Sequence, residues 1–237
     1  MRFQNKVAVI AGGTGALGSA FTKAFLDEGA MVAVPVHRRR ALNTPETSPA
    51  QSPQRLLPVQ ADLVSREDVQ AFVQKVLAEL KGVDFLIHTV GAYAGGKRVE
   101  EVTEEEWDRL MDVNLKSAFL MCNAILPGMR ERRFGRIITI GAMPALRPTA
   151  KRGPYQISKR ALITLTETIA EEVKGTGITA NAIVPSTILT PDNVQSMGDA
   201  DTSTWVTPEE IASLAAYLCT REARSINGNA IKIFGGV

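Results

Sequence analysis

A tyrosine and a lysine stand four residues apart in the run PYQISK, at Tyr155 and Lys159. On an α-helix, residues at i and i+4 share a face about 5–6 Å apart, so both side chains can reach one space. An ammonium group beside a phenol lowers the pKa of the phenol from its usual value of about 10. The spacing therefore predicts a tyrosine that acts as a general acid or base. The same spacing is common on structural helices, so the rest of the chain must decide its meaning.

The elements around this pair follow a regular alternation of short apolar runs and amphipathic helical stretches. The runs predict strands at 7–11, 31–36, 56–61, 83–89, 137–140, 178–184 and 230–234. The helical stretches are 19–28, 65–80, 103–129, 155–174 and one that begins at 207. Strict alternation predicts one α/β domain over residues 1–237, a doubly wound Rossmann-type fold with about seven parallel strands and helices on both faces.

A glycine-rich turn joins the first predicted strand to the first predicted helix. Glycines let the backbone turn sharply and approach a phosphate, which then lies at the positive end of the helix. In this context the pattern G-x-G-x-x-G is a dinucleotide-binding fingerprint. We expect the turn to hold a dinucleotide through Gly12, Gly13, Thr14, Gly15, Leu17 and Gly18.

The residues after the second predicted strand bear on the choice between NADP(H) and NAD(H). The chain reads His37-Arg38-Arg39-Arg40 there, with no carboxylate before Glu46. An acidic residue at this place binds a ribose 2′-hydroxyl, whereas arginine accommodates a 2′-phosphate. The sequence therefore favours NADP(H) over NAD(H), with Arg38 first and Arg39 next as phosphate ligands. A solvated basic turn is the alternative.

Three further features are candidates for the same site. Asp62, followed by Leu63, ends the third predicted strand, and its carboxylate either accepts a hydrogen bond from an adenine or caps the next helix. Asn114 lies in an apolar helix, where its amide needs partners, as a structural strut or as part of a site. The small residues of 91–96 surround Tyr93 and are typical of a loop that follows a ligand closely.

Composition excludes several classes of function. The 237 residues are 45% hydrophobic and carry a net charge of +2, which favours neither nucleic acid nor an anionic membrane as a partner. Two cysteines far apart in the sequence predict a reducing compartment, and no apolar run is long enough for a membrane span. With no leader pattern at the start, we expect a cytoplasmic protein that binds a small molecule and no metal. Residues 41–55 form a proline-rich loop, either a cover for the adenosine end of a cofactor or a plain surface insertion.

Taken together, these motifs resemble the classical short-chain dehydrogenase/reductase family over the whole chain. The resemblance rests on the glycine turn, Asp62-Leu63, Asn114, the Tyr155 and Lys159 pair, and Pro185 with Thr190. It implies that Tyr155 gives or takes a proton and that Lys159 binds the nicotinamide ribose and lowers the pKa of Tyr155. It also implies that Asn114 holds a proton-relay water, that Gly91 and Pro185 line the cofactor site, and that Thr190 contacts the carboxamide. Family members usually form dimers or tetramers through their long helices, which implies a homodimer or homotetramer here.

The departures from the family pattern are informative. The family's serine, which bonds the substrate carbonyl, falls on Ala142, and the usual Asn-Asn-Ala-Gly motif is His-Thr-Val-Gly at 88–91. The dihydropteridine reductase branch is similar in lacking that serine, and it resembles this chain closely over 190–205. That branch implies a quinonoid dihydropterin or a similar activated heterocycle as substrate, with Tyr93, Ala142 and Trp205 beside it.

Two alternatives remain from the sequence. One is a carbonyl or 3-oxoacyl reductase, or an alcohol dehydrogenase, in which Thr139, Thr149 or a water replaces the serine. The other is a protein that binds NADP(H) without turnover.

Overall fold

The computed structural model describes residues 1–37 and 54–236, so Arg38, Arg39 and positions 41–53 of the proline-rich loop lie outside the described residues. Seven parallel strands form one sheet in the order β3-β2-β1-β4-β5-β6-β7. The strands are β1 (Val7–Ala11), β2 (Met31–Val36), β3 (Leu56–Gln60), β4 (Phe85–His88), β5 (Gly135–Ile140), β6 (Ile178–Pro185) and β7 (Ala230–Ile233). The predicted doubly wound fold is confirmed.

Helices cover both faces of the sheet. They are α1 (Ala16–Asp27), α2 (Arg66–Leu80), α3 (Glu104–Met111), α4 (Ser117–Arg132), α5 (Gly153–Glu172), α6 (Pro191–Met197) and α7 (Pro208–Leu218). One buried cluster packs α2, α4 and α5 against one face, and a second packs α1 and α7 against the other. The central strands are buried along their whole length, as parallel strands covered on both sides must be.

The order of the strands fixes where a ligand can bind. Chain connections run outward from β1 in one direction and from β4 in the other, and these two strands are neighbours, with Ile10 opposite Ile87. A crevice opens at such a switch point beyond the carboxyl ends of the strands. The loops after β1, β4 and β5 therefore meet at one edge of the sheet.

The prediction of one continuous helix over 103–129 is wrong. After α3 the backbone widens into a π-helical turn, Asp112–Lys116, before α4 continues. The turn centres on Asn114, whose side chain bonds outward to another loop, and π turns of this kind are frequent at functional sites. Helix α6 was not predicted, because its seven residues are mostly exposed and show no apolar face. No described helix is long and apolar enough to cross a membrane.

Candidate active site

A cleft of about 430 Å³ opens at the carboxyl ends of β1 to β4. Its walls combine the loop after β1, the ends of β2 and β3, the loop after β4 and the π-helical turn. The structure brings six of the predicted cofactor residues together here: Gly12, Thr14, Gly15, Asp62, Leu63 and Gly91. The cleft thus lies at the switch point of the sheet, where a nucleotide binds in this fold.

The glycine turn has the shape that a dinucleotide requires. Gly12 has φ +86°, and a Cβ there would stand 2.6 Å from Thr89 Oγ1. A Cβ at Gly18 would collide with the carbonyl oxygen of Gly12, so α1 packs directly against the turn. No acidic residue occupies the first turn of α1, which leaves its positive end free to face an anion. Gly13 and Leu17 complete the turn, and these residues fit a bound pyrophosphate.

The adenosine side of the cleft is lined by Pro35, His37 and Asp62. Asp62 Oδ1 accepts a hydrogen bond from the backbone N–H of Val64, while the cap of α2 is Ser65. Asp62 is therefore not the helix cap, and its carboxylate faces the cleft. No described residue at the end of β2 carries a negative charge, and Arg38 and Arg39 lie beyond the described residues.

Lys159 is buried under the loop after β4. Its Nζ donates a hydrogen bond of 2.9 Å to the carbonyl oxygen of Ile140, at the end of β5. A Cβ at Gly91 would stand 2.9 Å from this Nζ and 3.3 Å from Asn114 Oδ1, so a larger residue there would displace the lysine ammonium. Burial lowers the pKa of Lys159 to about 8, because the charged form is poorly solvated.

Tyr155 stands one helical turn before Lys159 and is partly buried. Its ring meets the ring of Tyr93 edge to face, with centroids 5.0 Å apart and planes at 76°. The predicted lowering of its pKa by Lys159 is wrong in this structure. Burial, assisted by the Tyr93 phenol, raises the pKa of Tyr155 to about 12, while Arg152 opposes this in part. The Lys159 ammonium donates its hydrogen bond to the carbonyl oxygen of Ile140, and with this raised pKa Tyr155 holds its proton at neutral pH.

Asn114 ties three elements together. Its Oδ1 accepts a hydrogen bond of 2.7 Å from Ala92 N–H, and its Nδ2 donates to the Ala92 carbonyl oxygen at 3.0 Å and to Ser158 Oγ at 2.9 Å. Ser158 in turn donates to the carbonyl oxygen of Tyr155. Asn114 is therefore a structural strut, which fixes the loop after β4 against the first turn of α5, and its part in a site stays a prediction.

His88 and Ser117 form a buried contact that sequence reasoning did not assign to the site. Ser117 Oγ gives its proton to the carbonyl oxygen of Val113 at 2.6 Å, so at 3.1 Å the His88 Nε2 must be the protonated nitrogen. Burial, together with the nearby Lys159 ammonium, lowers the pKa of His88 to about 3, and the ring stays neutral. The signal was available in the sequence, since a histidine ends an otherwise apolar strand where the family has asparagine.

The remaining predicted residues lie at or after the carboxyl ends of β5 and β6. Ala142 follows β5, is buried, and begins a short 3-10 turn (Met143–Ala145). Pro185 ends β6, and the Thr190 hydroxyl caps α6 by accepting from Asn193 N–H. Trp205 is half-buried and makes no ring contact with Tyr93 or Tyr155. The structure therefore joins Tyr93 to Tyr155 but leaves Trp205 apart from that pair.

Two threonines were candidates to replace the missing serine. Thr139 Oγ1 is buried and bonded to Thr166 Oγ1 at 2.8 Å, which places it in the packing beneath α5. Thr149 is exposed, and its backbone N–H donates to Gln156. Burial and pairing of Thr139 rule out its use as a substrate donor.

The fold and this cleft define a dinucleotide-binding α/β protein with an acid–base pair beside the nucleotide crevice. The sequence pattern of the short chain dehydrogenase family matches residues 6–200. The chain belongs to this family and is an NAD(P)-binding oxidoreductase.

Individual relatives match over nearly the full length. An uncharacterized oxidoreductase, YvrD of Bacillus subtilis, is 31% identical, over 100% of this chain and 98% of the relative. The 3-oxoacyl-[acyl-carrier-protein] reductase FabG of Thermotoga maritima is 27% identical, over 100% and 99%. A solved structure of a candidate 3-oxoacyl-reductase from Bacillus thuringiensis is 29% identical, covers 98% of each chain and has a TM-score of 0.85.

Proposed function

We propose that the protein is an NAD(P)H-dependent reductase in which Tyr155 donates the proton to the reduced substrate. The observation that carries this proposal is geometric: Tyr155 stands one helical turn before Lys159, whose Nζ lies beside Gly91 of the dinucleotide cleft. Burial raises the pKa of the phenol to about 12, so Tyr155 enters the reaction as the protonated form that a proton donor requires.

The residues around the phenol have distinct proposed roles. The bound dinucleotide supplies the hydride. Lys159, held by the Ile140 carbonyl, is the proposed ligand of the cofactor ribose through its ammonium group. Asn114 positions the loop after β4 and α5 through Ala92 and Ser158. Pro185 and Thr190 close the nicotinamide end, with Gly91 allowing close approach beside Lys159.

For the cofactor we propose NADP(H) in preference to NAD(H). The described end of β2 offers Pro35 and His37 to the cleft and no carboxylate that would repel a 2′-phosphate. Arg38 and Arg39 follow directly in the sequence and are the proposed phosphate ligands.

The proposed substrate is a quinonoid dihydropterin or a similarly activated flat heterocycle. At Ala142 no hydroxyl is available to polarise a carbonyl, and Thr139 is committed to Thr166. An electron-poor heterocycle accepts hydride with less polarisation and needs one proton donor. The Tyr93 ring, 59% exposed and edge-on to Tyr155, offers a wall on which such a ring can pack.

A second candidate, reduction of 3-oxoacyl thioesters or other carbonyls, is favoured by the relatives. Two FabG reductases, from Thermotoga maritima and Vibrio cholerae, match 100% of this chain at 27% and 29% identity. In that case a water molecule must donate the hydrogen bond that the family's serine gives to the substrate carbonyl. Loss of one such donor commonly costs about 10²–10³ in rate.

One assay series separates these candidates. NADPH and NADH oxidation is followed with quinonoid dihydropterin, a panel of ketones and a 3-oxoacyl thioester. We expect pterin turnover with NADPH to exceed carbonyl turnover. Good carbonyl turnover without pterin turnover would overturn the substrate, and cofactor binding without any hydride transfer would overturn the proposed reduction.

The matched variants Ala142→Ser and Ala145→Ser sharpen that assay. Both alanines are 5% exposed and lie three residues apart. If a missing donor limits carbonyl reduction, Ala142→Ser raises that rate by about 10–100-fold. Ala145 packs into the cluster with Ile163, so its replacement brings no gain. An unchanged carbonyl rate in Ala142→Ser would show that the site does not use that position.

We also propose a homodimer or homotetramer formed through the long helices. Trp107, Phe119 and Ile157, on α3, α4 and α5, are each about two-fifths exposed, which supports a covered surface there. A location in the cytoplasm stays a prediction.

A further inference from the structure

A second cleft, of about 810 Å³, lies at the opposite edge of the sheet, where β1, β4 and β5 begin. One carboxylate, Glu222, lines it, and two more, Glu28 and Asp84, pair with lining cations. The cations that line it are Arg2, Lys6, Arg133, Arg136, Arg221 and Arg224. Six cations against three carboxylates leave an excess of three positive charges, although the whole chain carries only +2. We call this site the basic cleft.

Arg136, at the start of β5, is the centre of the basic cleft. It is only 4% exposed, yet no described carboxylate lies within ion-pair distance of its guanidinium. Nη1 donates to the carbonyl oxygens of Gly135 and Gly177 at 2.8 and 3.0 Å, and Nε has no hydrogen-bond partner within residues 1–37 and 54–236. A guanidinium keeps its charge, so a buried one without a counter-ion is costly.

The neighbouring strand adds a second unpaired donor. Arg136 is paired in register with Thr179 of β6, and paired residues of adjacent strands stand on the same face of a sheet. The buried Thr179 Oγ1 also has no hydrogen-bond partner among the described residues, although Thr179 does not line the cleft. Buried polar atoms nearly always have partners, so the unpaired Nε of Arg136, on a side chain that lines the cleft, is a donor left unsatisfied by the described protein groups.

An aromatic ring shapes the floor of the same cleft. Lys6 Nζ lies 4.2 Å from the centroid of the Phe134 ring, and Arg136 Cζ lies 4.7 Å from it. The ring holds both cations close together, and a cation–π contact supplies no formal negative charge. Lys6 is paired with Asp84 at 3.3 Å, so Arg136 is the cation on this ring that has no carboxylate partner among the described residues.

We propose that the basic cleft binds a small phosphate-bearing anion, with Arg136 as its central ligand and Arg221 and Arg224 at its rim. A phosphate presents several acceptor oxygens to a guanidinium fork and carries the charge that this cleft lacks. The site is separate from the dinucleotide crevice. Strands of four to six residues lie between the two edges, which at about 3.3 Å per residue is roughly 13–20 Å.

The test is calorimetric titration of the whole protein, saturated with NADPH and held at fixed ionic strength. Inorganic phosphate, pyrophosphate and ADP are the probes. We expect one saturable site that is independent of the NADPH already bound. Tighter binding of pyrophosphate than of ADP assigns the site to a free phosphate compound, and the reverse order assigns it to a nucleoside phosphate. Absence of a saturable site for all three probes overturns the proposal.

Variants locate the site. Arg136→Met is expected to weaken binding at least tenfold, and the exposed pair Arg221→Ser with Arg224→Ser at least threefold. The matched control, Lys75→Ser with Arg109→Ser, removes the same charge from exposed positions on α2 and α3 and is expected to change affinity less than twofold. If the Arg136→Met variant does not fold, the double variant Arg221→Ser with Arg224→Ser still tests whether the anion binds in the basic cleft. Equal weakening in the rim pair and the control would mean diffuse charge attraction and would overturn the site.

Discussion

Two buried cations stand at opposite ends of the same sheet, and the protein accommodates them differently. Lys159 is 5% exposed at the carboxyl end, and Arg136 is 4% exposed at the amino end. Both donate to backbone carbonyl oxygens, and burial lowers the pKa of each. The lysine reaches a pKa of about 8 and can lose its charge, whereas the guanidinium stays charged at any working pH.

The hydrogen bonding of the polar groups near the two cations also differs. Near Lys159, the amide of Asn114 and the hydroxyl of Ser158 have protein partners, and the unpaired buried atom is His88 Nδ1, an acceptor when Nε2 carries the proton. Near Arg136, its own Nε and the hydroxyl of Thr179 have no partner among the described residues. An unpaired donor on a permanent charge suits the capture of an anion, whereas a cation that can titrate suits proton chemistry. The three predictions below test this contrast, from the largest expected effect to the smallest.

Replacing Tyr155 with Phe tests whether proton transfer takes place only at the carboxyl end of the sheet. Removal of a general acid costs about 10²–10⁴ in rate, so kcat for the preferred acceptor is expected to fall about 10³-fold. The NADPH dissociation constant and the melting temperature serve as controls for folding. Anion binding in the basic cleft is expected to stay within twofold of wild type. A kcat within threefold of wild type would remove Tyr155 from the mechanism.

Lys159→Met tests the lowered pKa of the lysine through stability. Below about pH 8 the folded protein carries a buried charge that the unfolded chain solvates, which costs roughly 3 kcal/mol. Between about pH 8 and 10.5 the unfolded lysine binds a proton that the folded one lacks, so wild-type stability rises relative to the variant. Urea unfolding from pH 7 to 10 measures the difference, and ionisation of Tyr155 is common to both proteins.

Arg136→Met is the matched comparison for that experiment. The guanidinium does not titrate over this range, so the difference from wild type in unfolding free energy is expected to be constant with pH. A constant difference for Lys159→Met as well would contradict the assignment of a titrating lysine.

Asn114→Leu tests the network that surrounds Lys159. The change removes the hydrogen-bond partners of the N–H and carbonyl groups of Ala92. A buried polar group left without a partner costs about 1–3 kcal/mol, so we expect the unfolding free energy to fall by about 2 kcal/mol. Asn123→Leu is the control, since Asn123 is exposed on α4 and accepts one bond from Arg66. Its effect should stay within about 0.5 kcal/mol. Similar losses of unfolding free energy in both variants would mean that Asn114 contributes no more to stability than an exposed asparagine.

Much of the fold could be predicted because local signals agreed with packing. The strands at Val7–Ala11 and Met31–Val36 have the predicted bounds, since their apolar runs are uninterrupted and buried. The helix starts at Thr103 and Thr207 are confirmed, each with a reciprocal capping box. The π-helical turn was missed because it depends on a bond from Asn114 to a loop 22 residues earlier, which no local pattern reports.

The candidate site was predicted in part for the same reason. Gly12, Asp62 and Gly91 each follow a strand, and parallel strands bring their carboxyl ends to one edge. The direction of the Tyr155 pKa was wrong, because burial and the Tyr93 ring outweigh a lysine that is bonded elsewhere. Trp205 is not in ring contact with Tyr155, since residues 191–197 form a separate exposed helix before it.

The sequence by itself determined the family, the order of strands and helices, and the residues that can exchange a proton or follow a phosphate, because spacing along one strand, turn or helix carries that information. Tertiary structure alone decided which charges are buried and which are paired. Arg2, Arg136 and Arg221 are separated by most of the chain and meet only where strands begin at one edge. Solvation and pairing depend on such neighbours. For that reason, Tyr155 holds its proton and Lys159 can lose its charge. Arg136 keeps its positive charge, which is the proposed partner of a bound anion.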